Sequence, residues 1–403
     1  MYGTSRITAS GRIKNLGNPE AEINLNSPEL FLRDISQDFS ESKSGIKGMQ
    51  ATFSMNDGRY VIHNLSGKLE SSPFVLSGVY SGGRNPAADL VLNSSYLNLE
   101  ELIALLRKGD KGDSPDAAST ELRLKLAADS GQYGKFVFNN LHAQLAMKEN
   151  LLQLQSLDAS LYGGKAAAKG KMSRAAKGKS RYDLSFDLEK INTGQLLEAL
   201  EISREVTGAM NLKGELSAGG DSFAELKKSL TGNLALRLER GSMRKFNVLS
   251  KVFSILNVSQ LLKFQLPDMV SGGMPFNEIK GNIAIKDGMA STKDMRINGD
   301  AINLSIIGNA DIVKEELNVT IGVRPLQTVD KIVNRIPVVG WILTGKDNAI
   351  VTAYFEAKGK WNDPRVNAIP VQSMAKGTMN IFQRILELPV RLFTDTGEVL
   401  LGK

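Results

Sequence analysis

The sequence has no cysteine, only two histidines and few aromatic residues, and each shortage excludes a class of site. Without cysteine, the 403-residue chain cannot form disulfides, thiolate nucleophiles or cysteine-based zinc and iron–sulfur centres. His63 and His142 stand far apart and lack the neighbouring carboxylates that a metal site needs. No nucleophile elbow and no HExxH pattern occurs. We therefore expect a protein that is not an enzyme and that needs no cofactor or metal.

What the chain has in quantity is aliphatic material. Hydrophobic residues make up 42% of the sequence and aromatic residues 6%, so apolar surfaces suit acyl chains better than stacking ligands. The formal charge of +7 is a mild excess, which fits an anionic membrane surface at least as well as nucleic acid. The basic run from Lys165 to Arg181 has no interleaved aromatic side chain, so we expect no nucleic-acid partner. The sequence shows no signal peptide and no apolar run of spanning length.

An internal repeat is the main signal. Residues 46–78, 138–170 and 276–308 superpose without gaps, with apolar anchors, polar turns and a final glycine in the same register. The first turn is Asn-Asp-Gly, Lys-Glu-Asn or Lys-Asp-Gly, and Asp-Gly predicts a hairpin because Asp and Gly tolerate positive φ. The closing residues Gly78, Gly170 and Gly308 predict a bend or a close approach of the backbone. A partial copy around Gly11 opens the chain, from which we expect a C-terminal piece of a longer protein.

Alternating strands predict a mainly β fold: an elongated antiparallel repeat sheet folded into a taco-like groove, with a few amphipathic helices. One face of each strand is apolar and the other polar, as Leu184, Phe186 and Leu188 show. A closed sandwich or barrel, whose apolar faces pack on each other, is an equal alternative to the open groove. The expected groove-lining residues are Leu90, Leu92, Leu145, Met147, Leu152, Leu154, Leu184, Phe186, Leu188, Leu234, Leu236, Ile283, Ile285, Ile302, Leu304, Ile306, Leu317, Val319 and Ile321.

Two regions have helical character. Asp221 or Ser222 is a candidate N-cap for a helix over residues 223–230, and an apolar stripe with a helical period follows in residues 246–264. The C-terminal segment, from about residue 323, is amphipathic and predicts a helical cap on the sheet, with a basic helix on an anionic membrane as the alternative. The residues expected to make the cap or membrane contact are Trp341, Ile342, Phe382, Ile385, Leu386 and Phe393.

These signals divide the chain into six parts. Residues 1–44 form a partial first repeat, residues 45–137 and 138–207 are β repeats, and residues 208–275 are strands with inserted helices. Residues 276–322 form a further β repeat, and residues 323–403 form the C-terminal cap of helix and strand.

Four segments carry a family resemblance. Residues 157–170, LDASLYGGKAAAKG, resemble the AsmA-like family of Gram-negative envelope proteins. Residues 221–232 (DSFAELKKSLTG), 239–242 (ERGS) and 336–345 (IPVVGWILTG) are similar to the C-terminal region of that family. The resemblance covers most of the chain from about residue 45 onward, and the order of the motifs is more specific than any one of them.

The resemblance implies a bridge-like lipid transfer protein of the periplasm. Such a protein carries phospholipid between the inner and outer membranes along an aliphatic β-groove and contributes to outer-membrane biogenesis. It is normally anchored to the inner membrane by an N-terminal segment, which we expect to be absent from this chain. The expected partners are phospholipid, a membrane surface and other envelope proteins. The alternative is an envelope assembly scaffold that binds another protein through edge strands or helices.

Overall fold

A computed structural model describes residues 4–14, 20–35, 44–83, 85–109, 121–174, 178–202, 205–244, 247–255, 273–300, 302–325, 341–344, 350–374 and 376–387. Strands dominate these residues, with a few short helices, so the mainly β prediction is confirmed. The chain divides into two compact units, residues 1–188 and 189–403.

The first unit is a run of strands with one helix. The strands are β1 (Thr8–Lys14), β2 (Glu20–Phe31), β3 (Gly45–Asn56), β4 (Arg59–Leu69), β5 (Ser72–Ser81), β6 (Ala87–Ser94), β7 (Leu97–Asn98), β8 (Glu121–Tyr133), β9 (Phe136–Lys148), β10 (Leu151–Leu161) and β11 (Gly164–Ser173). Helix α1 (Leu99–Gly109) stands between β7 and β8. Strand β12 (Arg181–Asn192) follows, and the division between the units falls within it.

The first unit pairs as an antiparallel meander with a parallel step. Strands β1 to β6 pair in sequence, and so do β8 to β11. Strand β8 runs parallel to β6 and β7 instead, as in the pairing of Leu90 with Leu124. A crossover that contains a helix returns the chain to the same edge in the same direction, which a short hairpin cannot do. The sequence pattern of alternating residues gave no sign of this parallel step.

The second unit is a meander with more helices. Its strands are β13 (Ala209–Gly219), β14 (Thr231–Met243), β15 (Met274–Lys286), β16 (Met289–Asn298), β17 (Ile302–Asp311), β18 (Glu316–Pro325), β19 (Trp341–Thr344), β20 (Ile350–Lys360) and β21 (Arg365–Ala368). Its helices are α2 (Thr193–Ala199), α3 (Phe223–Ser229), α4 (Asn247–Ile255) and α5 (Lys376–Glu387). Strands β13 to β18 pair in sequence, and β20 pairs with β18, β19 and β21, all antiparallel.

Each of the three repeats predicted from the sequence folds as three consecutive strands. They correspond to β3–β4–β5, β9–β10–β11 and β15–β16–β17. Each first turn contains a non-glycine residue at positive φ: Asp57 at 46°, Glu149 at 52° and Asp287 at 50°. Strand register shifts at Ile62, Leu154 and Thr292, which occupy the same position in the three copies. A shared bulge keeps a shared twist, so the copies are alike in shape as well as in pattern.

Local signals also locate the short helices. Helix α3 begins after Ser222, whose side chain accepts a hydrogen bond from the backbone N–H of Glu225, as the N-cap prediction requires. Helix α4 lies within the predicted apolar stripe and buries Val248, Leu249 and Val252. The rest of that stripe, residues 256–264, lies outside the described residues.

Candidate functional site

The apolar side chains of unit 1 share one face because paired residues point to the same side of a sheet. Residues that are paired in register across successive strands form continuous rows on this face. One row, the central row, consists of Ile23, Phe53, Ile62, Gly78, Leu90, Leu124, Leu145, Leu154 and Gly170. A second row beside it consists of Leu25, Ala51, Leu65, Leu76, Leu92, Leu126, Ala143, Leu157 and Ala168.

The two glycines of the central row allow neighbouring strands to approach closely. A Cβ on Gly78 would collide with the backbone of Asp89 and Leu90 on the next strand. A Cβ on Gly170 would lie 2.9 Å from the Asp183 carbonyl oxygen, which places the start of β12 beside β11. The row therefore runs across nine strands, from β2 to β11 without β7. With strands about 4.8 Å apart, it is roughly 40 Å long.

Exposure changes from one margin of this face to the other. At one margin, Leu97, Leu126, Phe138 and Leu141 form a packed core with Leu99 and Leu102 of α1 against it. In the central row, by contrast, Phe53, Ile62, Leu90, Leu124, Leu145 and Leu154 are only half-buried. At the opposite margin Tyr60, Tyr80 and Met147 are exposed. The apolar face of unit 1 is thus covered along one side and accessible along the other.

A cavity of about 540 Å³ lies on this face at strands β2 to β4. Its wall contains members of both rows together with residues at the start of the chain and after β2. The lining residues are Ser5, Ile7, Leu25, Leu30, Asp34, Ile35, Ile46, Met49, Ala51, Phe53 and Leu65. Aliphatic walls of this kind favour a flexible hydrocarbon chain over a polar ligand.

One end of the cavity is polar. The Asp34 carboxylate accepts hydrogen bonds from the backbone N–H groups of Thr4 and Ser5, at 2.9 and 2.8 Å, and from the Ser5 hydroxyl at 2.6 Å. The hydrogen bond from the Ser5 hydroxyl is the main reason that the pKa of Asp34 is lowered. The carboxylate therefore stays charged at neutral pH and makes this end of the otherwise apolar cavity polar.

Unit 2 has an apolar face of its own, built by the same rule. Leu238, Ile279, Ile297, Leu304, Val323 and Ala353 are paired across six strands, and all are buried. Beside them, Leu234 pairs with Ile283 and Gly308 pairs with Val319. These apolar side chains are half-buried rather than covered. Unit 2 therefore has a more completely packed core than unit 1, flanked by a partly accessible strip.

The predicted groove-lining residues on β6, β9 and β10 lie in these rows or next to them. Leu90, Leu145 and Leu154 are in the central row, and Leu92 is beside it. Met147 pairs with Leu152 one step nearer the open margin. Leu184, Phe186 and Leu188 alternate along β12, where Leu184 is 41% exposed and the other two are half-buried.

The predicted lining residues of unit 2 differ in exposure. Leu234, Leu236, Ile283, Ile306, Leu317 and Val319 are half-buried. Ile285, Ile302, Leu304 and Ile321 are buried, with Leu304 and Ile321 almost without exposed surface. The last four stabilise the fold from inside the packed core and have little surface to offer a ligand.

The predicted cap residues separate into those that the structure describes and those that it does not. Phe382 and Ile385 are buried on α5, and the Phe382 ring packs edge-on against Tyr354 with centroids 5.1 Å apart. Trp341 and Ile342 lie in strand β19 and Leu386 in α5, and the surroundings of their side chains lie outside the described set. Phe393 is beyond the described residues.

Sequence reasoning missed several members of the central row, although the signal was available. Ile62 occupies the position in its repeat that Leu154 occupies in the second copy, so the repeat register points to it. Phe53 has the same relation to Leu145. Leu124 stands in the plain alternation Leu-Arg-Leu-Lys-Leu of β8. Only the pairing of β8 with β6, however, places Leu124 beside Leu90.

The two histidines each lie within hydrogen-bonding distance of a single neighbouring oxygen atom in the structure. The His63 ring lies 2.8 Å from the Ser54 hydroxyl, and the His142 ring lies 3.3 Å from the Asn140 carbonyl oxygen. Neither histidine contacts a carboxylate in these hydrogen bonds. No group of three or more potential metal ligands occurs within the described ranges. In the same ranges, no helix has the length and hydropathy of a membrane-spanning segment.

The polar face of the sheet carries the charges of the basic run. Lys165, Lys169 and Lys171 alternate along β11 with Ala166, Ala168 and Gly170 and are exposed. The Lys171 ammonium lies 3.6 Å from the Asp183 carboxylate. These lysines therefore stand on the face opposite to the apolar rows.

Comparison with known proteins identifies one family. No match was found among curated protein sequences or among solved structures. A family model described as YhdP protein matches residues 42–366, which is most of the chain. YhdP proteins are part of the AsmA-like, bridge-like lipid transfer group that the sequence motifs resemble. The chain belongs to the YhdP protein family.

Proposed function

We propose that this protein binds phospholipid along the apolar face of its sheets and passes it along that face without chemical conversion. The observation that carries the proposal is the central row of unit 1. It is apolar, continuous in register and only half-buried. A purely structural core would be covered on this face, as it is around Leu126 and Phe138.

The row suits acyl chains for a physical reason. Covering exposed hydrocarbon is worth about 25 cal/mol per Å² of apolar surface and has no directional requirement. A lipid can therefore slide from Leu90 to Leu124 and on to Leu145 while it exchanges one aliphatic contact for an equivalent one. Its head group stays in water at the margin where Tyr60 and Met147 are exposed.

Family membership supports a proposal for where in the cell this lipid transfer takes place. Within the AsmA-like group, the proposal is transfer of phospholipid between the inner and outer membranes through the periplasm, in support of outer-membrane biogenesis. The proposal needs no catalytic residue and no cofactor. The partners it names are phospholipid, a membrane surface at an end of the path, and other envelope proteins.

One observation favours the alternative of an assembly scaffold. Strand β1 is exposed at all seven of its positions. Among the described strands it pairs only with β2. An unpaired strand edge can accept a strand from another protein, which gives affinity through backbone hydrogen bonds. This reading requires no ligand on the apolar face.

The two functions differ in whether lipid is retained. We would purify the protein gently, extract it and measure co-purified phospholipid by mass spectrometry. The test variants Leu90→Asp and Leu145→Asp place a charge in the central row. The matched control is Val91→Asp, because Val91 follows Leu90 on β6, points to the polar face and is exposed.

Lipid transfer predicts near-stoichiometric phospholipid in the unmodified protein and in Val91→Asp. It predicts loss of at least tenfold in Leu90→Asp and Leu145→Asp, because an ionised group on an acyl-chain path is strongly unfavourable. Circular dichroism must show that all variants remain folded. A folded, lipid-free unmodified protein would exclude the proposal and favour the scaffold.

A further inference from the structure

One margin of unit 2 carries exposed apolar side chains at the tips of successive turns. We name this margin the turn ridge. It consists of helix α3 and the turns that connect β15 with β16, β17 with β18 and β20 with β21. Register places these turns side by side, since Gly232 pairs with Ile285, Met289 with Asp311 and Glu316 with Lys360. The ridge crosses about five strand spacings, or roughly 25 Å.

Backbone hydrogen bonds tie the ridge together. The Gly288 N–H donates to the Leu230 carbonyl at 2.9 Å, and the Ile312 N–H donates to the Gly288 carbonyl at 2.9 Å. The Trp361 N–H donates to the Glu315 carbonyl at 3.0 Å. These bonds hold the tips at fixed spacing, so the ridge presents its side chains without a cost of ordering the turns first.

Four large apolar side chains are exposed on the ridge. Phe223 is 73% exposed and Trp361 41%, and Met289 and Val313 are exposed as well. The Lys227 ammonium lies 4.9 Å from the centroid of the Phe223 ring. Scattered single apolar residues are ordinary on a surface, but four at consecutive tips of one margin form a shared apolar edge. An aromatic ring beside a lysine is the arrangement found at membrane–water interfaces.

The charges of the ridge nearly cancel. The lysines are Lys227, Lys228, Lys286, Lys314 and Lys360. The carboxylates are Glu225, Asp287, Asp311, Glu315, Glu316 and Asp363. Two of these pairs are in contact, Lys314 with Asp311 at 3.6 Å and Lys360 with Glu316 at 3.5 Å. A balanced surface gains little from an anionic partner, so an apolar interface with no net charge fits it better.

The C-terminal helix is a weaker candidate for the same role. Phe382 and Ile385 of helix α5 face the sheet, where both side chains are buried. A membrane helix needs its apolar face free for the bilayer. The ridge has the free apolar surface that α5 lacks, because its apolar side chains are exposed. The backbone of its turns already makes hydrogen bonds within the protein.

We propose that the turn ridge inserts Phe223, Met289, Val313 and Trp361 into the interfacial layer of a phospholipid bilayer, driven by apolar burial and not by net charge. The inference goes beyond lipid carriage, because a protein can dock on a bilayer without binding a lipid in its sheet. Vesicle binding and co-purified lipid are separate measurements, so either proposal can fail alone.

Tryptophan fluorescence tests insertion directly. The chain has two tryptophans, so Trp341→Phe leaves Trp361 as the single reporter. We would titrate this variant with vesicles of pure phosphatidylcholine and, in parallel, with vesicles that also contain anionic phospholipid, each at low and high salt, and follow the emission maximum. Insertion predicts a shift to shorter wavelength at both salt concentrations. No shift overturns the proposal, and so does a shift that requires anionic lipid and disappears in high salt.

Substitutions assign the binding to the ridge. Vesicle co-sedimentation is expected to weaken by about tenfold in Phe223→Ser and in Trp361→Ser, since each removes a large apolar side chain from the interface. The control is Ile202→Ser, because Ile202 is 67% exposed in unit 2 and follows α2, at the margin opposite to the ridge. Equal loss in the control, or no loss in either ridge variant, contradicts the inference. Thermal unfolding of each variant shows whether the fold is intact.

Discussion

At the scale of single residues, the closing glycines of the repeats are required by contacts with the next strand. Gly78 and Gly308 have φ of 154° and 143°, where L side chains are rare. A Cβ on Gly308 would also collide with the backbone of Asn318 and Val319 on β18. These glycines therefore serve both the local backbone and the pairing of the following strand.

Replacement of Gly308 should destabilise the protein. We expect Gly308→Ala to lower the free energy of unfolding by about 2–4 kcal/mol, from backbone strain together with displacement of β18. Urea unfolding measures the change. The matched control is Gly377→Ala on α5, where a Cβ meets no atom within 4 Å and alanine is the better helix former. Equal stability of Gly308→Ala and the unmodified protein would contradict this account.

Asp363 is a residue-scale link between two elements. The Lys251 ammonium of α4 donates to the Asp363 carboxylate and, at 2.8 Å, to the Pro364 carbonyl oxygen just before β21. The hydrogen bond and charge of Lys251 lower the pKa of Asp363 from its ordinary value of 3.8. A lowered carboxyl pKa contributes stability that is present above the ordinary value and is lost as pH falls through the folded-state value.

This sign gives a pH-dependent prediction. Asp363→Asn should be less stable than the unmodified protein near neutral pH, and the difference should vanish between about pH 4 and pH 2. Chemical unfolding across that range measures it. Lys251→Met should abolish the same acid-dependent part, because the pair acts together. A stability difference between Asp363→Asn and the unmodified protein that persists at pH 2 would mean that the link does not act through charge.

At the scale of elements, the hairpins could be read from the sequence and the role of α5 could not. Asp57 and Asp287 take the positive φ that their Asp-Gly turns predict, and Glu149 takes it at the corresponding position of the second repeat. Helix α5 has an amphipathic sequence that fits both a cap and a membrane surface. Packing decides what Phe382 does, since its ring lies against Tyr354 and within 3.2 Å of a Cβ built on Gly322.

Loss of this helix contact should be costly. We expect Phe382→Ala to lower the free energy of unfolding of unit 2 by about 3–5 kcal/mol, because it leaves a cavity between α5 and the sheet. Denaturant unfolding followed by circular dichroism measures it. Asn380→Ala is the control on the same helix, since Asn380 is exposed, and it should change stability by less than about 0.5 kcal/mol. Similar costs for both would show that Phe382 is not packed.

At the scale of the whole molecule, the proposed function depends on rows of side chains that no single strand contains. The central row combines one residue from each strand from β2 to β11 except β7, and the parallel step between β6 and β8 carries it across the crossover. Pairing of Leu90 with Leu124 is what joins its two halves. The proposed lipid path is therefore a property of the strand order.

Photo-crosslinking should show this path as an alternation. A photoreactive phenylalanine analogue in place of Leu124 or Leu145 is expected to crosslink phospholipid, and one in place of Lys125 or Gln144 is not. The reason is that neighbouring residues of β8 and β9 point to opposite faces. Mass spectrometry of the crosslinked protein measures the outcome. Crosslinks of equal yield on both faces would exclude a path confined to the apolar side.

The sequence by itself determined the strands, the repeat and the faces. Alternation places Leu122, Leu124 and Leu126 on one side of β8, because side chains in a strand have a period of two. Turn residues that tolerate positive φ determined where strands reverse, as at Asp57. These are local properties, so neighbouring residues suffice to specify them.

Only the tertiary structure decided which apolar residues are core and which remain accessible. Leu304 and Ile306 belong to the same strand and the same apolar face, yet Leu304 is fully buried and Ile306 is half-buried. Likewise, Leu92 is buried near the core that packs on α1, while Leu90 on the same strand is half-buried. The burial of a residue depends on which distant helices and strands pack over its row. The bulges and the parallel step determine which residues of neighbouring strands are paired in one row. Such long-range contacts leave no mark on the alternation of a single strand.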